Sequence, residues 1–335
     1  MTQGLKHTLI NLLTSPLVTS ATHPVRRNKV PIFMLHRLAN VDAGIRGHSL
    51  DLIEQALDYC LANGYKIISL EQAIHLSRQP YLNRERYVCF TIDDGFYDQG
   101  EYIAKLFELK SAPLTFFLAT DMVDKGHWSW DYQLEYIINK TTSDELTITI
   151  NGQAHNWALT GSAQKTLCKR SLQTLLKKLP IASTEKIVKE ISDHLKINIP
   201  QQAPDAYRTL TWPMVKSLES DLIQFGPHTQ SHTVLSQLDD DRAFAEINGS
   251  MERLKQELRN PVNIFCYPTG RETKDFGERE KIMVKEQGFD AAVSADPGYL
   301  NLTRSNDPFA INRFSFPNDL TTFKKYVSWL ELLRS

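Results

Sequence analysis

Only four cysteines occur in 335 residues, Cys60, Cys89, Cys168 and Cys266, and no two form a Cys-x-x-Cys pair. Buried free thiols are expected in preference to disulfides or a zinc knot, and a reducing compartment is favoured. Long apolar runs are lacking too. The best candidate, Leu9-Ile10-Asn11-Leu12-Leu13-Thr14-Ser15-Pro16-Leu17-Val18, is too short and too often interrupted by polar residues to span a bilayer. With Lys6 its one preceding charge, it makes a poor signal peptide. A short helix touching a membrane surface is a second reading of the run, and a helix packed on the domain itself is the preferred one. We expect a cytoplasmic chain with no transmembrane segment, at most peripheral to the inner membrane, with export left open.

Charge of one sign is also missing. The 38 Lys and Arg nearly cancel the 39 Asp and Glu, so no overall field draws in nucleic acid or an anionic bilayer, and no nucleic-acid partner is expected. Local basic pairs, Lys177-Lys178 and Lys324-Lys325, read as solvated helix faces. There is no internal repeat and no low-complexity tract. What is present is a hydrophobic content of 41%, enough for a sizeable core, and a length that accommodates one large domain or two small ones.

Strand-like and helical stretches alternate along the chain. Val30 to Leu35, Tyr87 to Ile92, Leu114 to Ala119, Leu222 to Phe225, Val262 to Tyr267, Ala291 to Ser294 and Phe309 to Phe314 read as strands. Helices are expected near Ser49 to Asn63, Gln99 to Leu109, Arg242 to Arg259, Glu278 to Gln287 and Leu320 to Leu333. This is the pattern of an α/β protein, an incomplete or distorted β/α barrel, in which catalytic side chains come from the C-terminal ends of strands. An N-terminal segment, residues 1–29, precedes a single catalytic domain, 30–335. The stretch at about 121–208 departs from the alternation and is read as a mainly helical insertion over the rim. It holds a hairpin at Leu146 to His155 around Asn151-Gly152 and helices at Ser162 to Lys178 and Ser183 to Leu195.

Two local patterns carry chemistry. His228 and His232 lie four residues apart, which on a helical turn points both imidazoles at one metal ion. Far upstream, the apolar run before Asp93-Asp94-Gly95 ends in paired carboxylates, as a buried strand does on reaching a turn at a site. Two imidazoles and one carboxylate leave a coordination position open, the mark of a catalytic rather than a structural site, and hydrolysis becomes the leading class. Successive strand residues face opposite ways, so Asp93 and Asp94 should differ in role unless the turn redirects one of them.

Taken together, these residues resemble the polysaccharide deacetylases with a NodB homology domain, carbohydrate esterase family four. Thr91-Ile92-Asp93-Asp94-Gly95 is similar to the family's Thr-Phe-Asp-Asp-Gly, and His228-Thr229-Gln230-Ser231-His232 to its His-Ser/Thr-x-x-His. Leu210-Thr211-Trp212, Leu235-Ser236 and Phe265-Cys266-Tyr267-Pro268-Thr269-Gly270-Arg271 agree as well, and coverage runs from about Pro31 to Pro317 apart from the insertion. The resemblance implies that Asp94, His228 and His232 hold a cation and that Asp93 is the general base. It also implies that the Thr269 N–H faces the oxyanion, with Tyr267 walling the pocket. Two departures stand out: Cys266 occupies the place of an orienting Arg, and no late Leu-x-His follows His232. His36, in a run similar to the opening of a family branch whose acid comes from the N-terminal side, is the candidate acid. Arg313 is the candidate partner of Asp93, with Arg37 its rival.

The implied activity is removal of N-acetyl groups from an amino-sugar glycan or a lipid-linked saccharide. Zn²⁺ suits the donor set best, with Co²⁺ or Ni²⁺ also fitting. In the insertion, Gly126-His127-Trp128-Ser129-Trp130-Asp131-Tyr132 mixes aromatics with a carboxylate, and Trp130 and Asp131 are candidate sugar contacts. Alternatives are hydrolysis of a small non-sugar amide and a catalytically silent glycan-binding protein.

Overall fold

The computed structural model describes residues 10, 12–22, 24, 28–79, 85–126, 128–303 and 306–333. Lys6, Leu9 and Asn11 of the N-terminal run and His127 of the aromatic segment lie outside the described residues. The strands are β1 (Lys29–Leu35), β2 (Tyr65–Ile68), β3 (Arg86–Asp94), β4 (Leu114–Leu118), β5 (Glu145–Ile150), β6 (Gln153–Ala158), β7 (Ile223–Pro227), β8 (Ile264–Cys266), β9 (Ala291–Val293), β10 (Tyr299–Asn301) and β11 (Phe314–Ser315). The helices used below are α1 (Pro16–Ala21), α2 (Leu50–Ala62), α3 (Leu70–Ser77), α4 (Lys105–Leu109, continuing a π-helical stretch Gln99–Ala104), α5 (Thr120–Lys125), α6 (Trp130–Lys140), α7 (Ser162–Leu176), α8 (Ile181–Leu195), α9 (Trp212–Leu218), α10 (Asp240–Glu257), α11 (Glu278–Glu286) and α12 (Leu320–Val327).

Seven strands form one sheet, in the order β10-β1-β3-β4-β7 with β11 also on β1 and β2 also on β3. All pairings are parallel except β1 with β10. The ring is completed irregularly: Val262 N–H donates to Phe225 O at 2.8 Å, β8 pairs β9, and Ile311 bridges β9 on the way to β11. The result is a distorted β/α barrel. Its parallel strands are nearly all apolar because both faces are covered.

The two faces separate by the period of two in a strand. Phe33, Leu35, Phe90, Ile92, Phe116 and Phe225 join the core under the helices, where Phe33 lies 4.8 Å from Phe323 of α12, ring centre to ring centre. Val30, Ile32, Cys89, Phe117, Ile264, Cys266 and Val293 join the core inside the barrel. Burying each large apolar side chain contributes about 1.5–3 kcal/mol, so the alternation sets the register firmly. Its consequence for function is direct. Continued by two residues at a time, the inward series of β1 and β3 arrive at His36 and Asp93.

Several elements differ from the sequence expectation. β2, α3 and β10 were not anticipated, each being short enough for its pattern to be lost. The expected strand Phe309 to Phe314 is interrupted, because the chain crosses there from β9 to β1: Ile311 bonds the backbone of Ala292 and Ser294, and only Phe314–Ser315 pair with β1. The helix expected to reach Leu333 is interrupted at Ser328, after which Trp329–Leu333 is a 3-10 turn.

In the insertion, β5 and β6 form the hairpin, and Asn151 (φ 51°) and Gly152 (φ 79°) both take positive φ, as a type I′ turn requires. α6, which was not expected, joins α7, α8 and the hairpin around a core that includes Leu134, Ile138, Leu146, Leu172 and Ile191. Near the N-terminus, the Tyr59 hydroxyl donates to Thr14 O (3.0 Å) and Trp329 Nε1 to Leu13 O (3.3 Å), so this segment lies against α2 and the C-terminal turn. No described helix is long and apolar enough to cross a membrane.

Candidate active site

β3 delivers Asp93 to the barrel interior in line with Cys89 and Thr91. Asp94 should then face outward, but its φ of 84° turns the chain and brings its carboxylate to the same rim. Gly95, at φ 100°, follows, and a Cβ there would sit 2.7 Å from Leu118 Cδ2. The fully buried amide of Gln99 holds this turn. Its Oε1 accepts from Gly95 N–H (3.0 Å) and Phe96 N–H (2.8 Å), while its Nε2 donates to Asp93 O and His36 O, both at 2.7 Å. One side chain thus ties the ends of β1 and β3 together. An isolated Gln in a helical pattern gave no sign of this role.

The imidazoles follow β7, and here the expected helix is replaced by a loop. Thr229 (φ 64°) and His232 (φ 59°) take left-handed backbone, so the two rings converge by turn geometry rather than by helical spacing. Glu246 of α10 fixes the loop, accepting from Gln230 N–H (2.8 Å), Ser231 N–H (2.9 Å) and the Ser231 hydroxyl (2.6 Å). Glu246 was not singled out from sequence either.

His228 Nε2 lies 3.5 Å and His232 Nε2 3.3 Å from Asp94 Oδ1, an oxygen that is buried and accepts no hydrogen bond among the described residues. His228 Nδ1 pairs with Cys266 O at 2.8 Å, so that nitrogen carries the proton and Nε2 offers its lone pair. Asp94's other oxygen is occupied. The Tyr132 hydroxyl donates to Oδ2, and His36 Nε2 stands 3.3 Å from Oδ2 and 3.0 Å from the Tyr132 hydroxyl oxygen. Burial, then the neighbouring Asp94 charge, push the Tyr132 phenol well above its ordinary pKa, so it stays a donor. The donor set therefore suits a divalent cation: one carboxylate oxygen without a partner, facing two imidazole nitrogens. A second possible set, Asp93, His228 and Cys266, is already spent on other bonds.

Asp93 is clamped elsewhere. Arg313, fully buried, donates Nη1 to Oδ1 at 2.8 Å and Nη2 to Oδ2 at 2.9 Å, and reaches Thr91 Oγ1 (3.0 Å), Ser294 O (2.9 Å) and Cys266 Sγ (3.2 Å) with its remaining donors. The small Cys266 side chain leaves the room that the guanidinium fills. Burial alone would raise the Asp93 carboxyl, but Arg313 and then His228 bring it below the ordinary carboxylate range. Arg37 does not compete for Asp93. It stacks 3.8 Å from the Phe96 ring centre and lies 3.7 Å from Asp98 Oδ2.

The remaining candidates are spread around a cavity of 510 Å³. Thr269, at φ 57°, lines it, and its N–H donates to no backbone carbonyl among the described residues. Tyr267 also lines it, held by stacking on Phe276 and by a 3.1 Å bond from its hydroxyl to Phe309 O. Asp131 faces the cavity and accepts from the Ser129 hydroxyl. Trp130 is placed differently from the expectation, half-buried against the insertion's own core, and Trp128 is buried beside Tyr136 and Tyr207. The aromatic segment is thus largely packing. Its member at the centre is Tyr132, which sequence reasoning passed over for its neighbours.

A pH dependence follows from His232. Burial lowers its pKa, but the facing Asp94 more than reverses this and raises it to about 9 in the metal-free protein. A cation must displace that proton. Titrating Zn²⁺ into metal-free protein at pH 7 should release at least one proton, and apparent affinity should climb with pH until about pH 9. Calorimetry in buffers of different ionisation enthalpy measures the release, and a pH-independent affinity would contradict it.

The family model described as polysaccharide deacetylase matches residues 82–286. A search of curated proteins finds no match. Among solved structures, the deacetylase PplD of Streptococcus pyogenes, in complex with acetate, superposes with a TM-score of 0.57 at 16% identity, covering 91% of this chain and 97% of that one. IcaB from Ammonifex degensii superposes at 0.55 and 14% identity, covering 90% and 97%. A de-N-acetylase from Aggregatibacter actinomycetemcomitans superposes at 0.53 and 12%, covering 89% and 99%. At such identities the likeness shows the fold.

Proposed function

This chain belongs to the polysaccharide deacetylase family, and from that premise we propose that it is a metal-dependent hydrolase removing N-acetyl groups from an amino-sugar glycan or glycolipid. One observation carries the reading: adjacent carboxylates on one strand end are divided, Asp94 toward two imidazoles and Asp93 toward a buried guanidinium. Asp94, His228 and His232 would hold the cation, with Zn²⁺ the best match and Co²⁺ or Ni²⁺ able to use the same donors. When bound, it supplies Lewis acidity toward the amide carbonyl and lowers the pKa of a nearby water.

The chain's own residues do the rest. Asp93, ionised and oriented by Arg313, takes the proton of the attacking water. The Thr269 N–H is the main-chain donor for the oxyanion, a role that tolerates any side chain. His36, with 44% of its side chain exposed at the cavity, gives the departing amine its proton. Tyr132 keeps Asp94 Oδ2 engaged, leaving Oδ1 for the cation.

The test is acetate release from N-acetylated amino-sugar oligosaccharides by protein loaded with Zn²⁺, Co²⁺ or Ni²⁺ and by chelator-treated protein. Acetate should appear only with metal. Binding of the same sugars with no acetate from any of them would leave a silent glycan-binding protein instead.

A further inference from the structure

The catalytic cavity has a charge imbalance that the whole chain lacks. Six of its lining residues are Lys or Arg and three are Asp or Glu. Three of the cations are neutralised in place: Arg313 by Asp93 at 2.8 Å, Lys169 by Glu135, and Arg37 by Asp98 at 3.7 Å. Asp131 is held by the Ser129 hydroxyl. Arg46, Arg170 and Lys177 remain, with no carboxylate partner among the described residues.

Their placement is systematic. α7 buries Cys168, Leu172 and Leu176 in the insertion's core, one apolar stripe at helical spacing. The polar face bearing Thr166, Lys169, Arg170 and Gln173, continued by Lys177 at its C-cap, looks into the cavity. Lys177, expected on a solvated face, is half-buried and lines the cavity. Arg46 approaches from the loop between β1 and α2. Together with Thr166 it also lines a neighbouring cavity of 940 Å³, so Arg46 stands where a substrate longer than one sugar would leave the catalytic centre, while Arg170 and Lys177 line the catalytic cavity itself.

Deacetylation splits a neutral amide into acetate, which leaves, and an ammonium, which stays on the sugar. In a cavity carrying unpaired cations, and a divalent cation when loaded, the sugar-bound ammonium left after acetate departs is disfavoured unless the substrate brings negative charge with it. We propose that the substrate carries an anionic oxygen group, phosphoryl or carboxylate, on or beside the acetylated sugar, and that Arg46, Arg170 and Lys177 hold it. The fork of each arginine is suited to either group. This rests on the deacetylase reading and narrows its substrate class.

The experiment compares three substrates of the metal-loaded protein: N-acetylglucosamine, its 1-phosphate, and its disaccharide with glucuronic acid. At least one anionic substrate should show kcat/KM about tenfold or more above the neutral sugar, with the advantage shrinking at high salt. The two anionic arms separate phosphoryl from carboxylate. In the Arg170→Gln/Lys177→Gln double variant the advantage should vanish, which also separates these side chains from attraction by the metal. Equal rates on all three, or an advantage unchanged in the double variant, overturns the proposal while leaving the deacetylase reading intact. Should no acetate form at all, that reading fails, and calorimetric binding of the same sugars to Asp93→Asn protein still decides. Binding of an anionic sugar about tenfold tighter than the neutral one, lost in the added double variant, supports the anionic site, and equal binding refutes it.

Discussion

Asp93→Asn protein is expected to release acetate about 10²–10⁴-fold more slowly than the unaltered protein while retaining its cation. Asparagine keeps the size of the side chain and can still accept from Arg313, so the buried cluster should persist. What it cannot do is take a proton. Retention of metal follows because Asp93 bonds Arg313 through both oxygens and leaves the imidazoles to Asp94. Asp94→Asn is the converse case: it exchanges the unpaired oxygen's charge for an amide, and bound metal should fall. Metal content by atomic absorption, set beside acetate release, reads both. Near-normal turnover by Asp93→Asn would remove the general base from the scheme. If the cation departs with Asp93 instead, the ligands are Asp93, His228 and Cys266.

Arg313→Met should cost about 3–5 kcal/mol of stability at neutral pH, the usual loss when one partner of a buried pair is removed and the other charge stays behind. Both side chains are almost wholly buried, at 1% and 5% exposure, so water cannot take the guanidinium's place. The pH dependence has a definite sign. Asp93's carboxyl is held below its ordinary value in the folded protein, so its contribution is complete above the unfolded value of about 4 and is lost as pH falls through the lowered one. In the variant, burial is opposed only by the more weakly acting His228 and His36, and the carboxyl protonates more readily, so the stability gap should narrow on acidification. Denaturant unfolding across a pH series measures it. A double variant, Asp93→Leu with Arg313→Met, should regain much of the stability and none of the activity, because two apolar groups leave no buried charge uncompensated. An Arg313→Met protein as stable as the unaltered one at neutral pH would mean that Asp93 is already neutral or solvated there.

Much of this arrangement was legible in local pattern. The period of two in Cys89-Phe90-Thr91-Ile92-Asp93 marks a buried strand and puts Asp93 on its inner face, and the apolar run before His36 does the same on β1. The hairpin at Asn151-Gly152 and the helices of the insertion were readable for the same reason, since turn chemistry and helical spacing act over a few residues. The four-residue interval between His228 and His232 suggested convergence, but by the wrong means. A loop with two left-handed residues, held by Glu246 from α10, achieves it.

The roles of Gln99, Tyr132 and Glu246 are not legible in sequence because nothing in their own neighbourhood distinguishes them, and Lys177 reads there only as part of a solvated basic pair. Gln99 matters through bonds to His36 and Asp93, and Tyr132 through bonds to Asp94 and His36 across a separation of 96 residues. The sequence by itself determined the alternating elements, the strand ends that carry carboxylate and imidazole, and the two distant motifs able to share a cation. Only the tertiary structure decided how Asp94 turns at φ 84°, which arginine meets Asp93, and which face of α7 overlooks the cavity. The physical reason is range: periodicity and turn propensity act between neighbours in the chain, whereas a buried charge is satisfied by whichever distant group folding brings within about 3 Å.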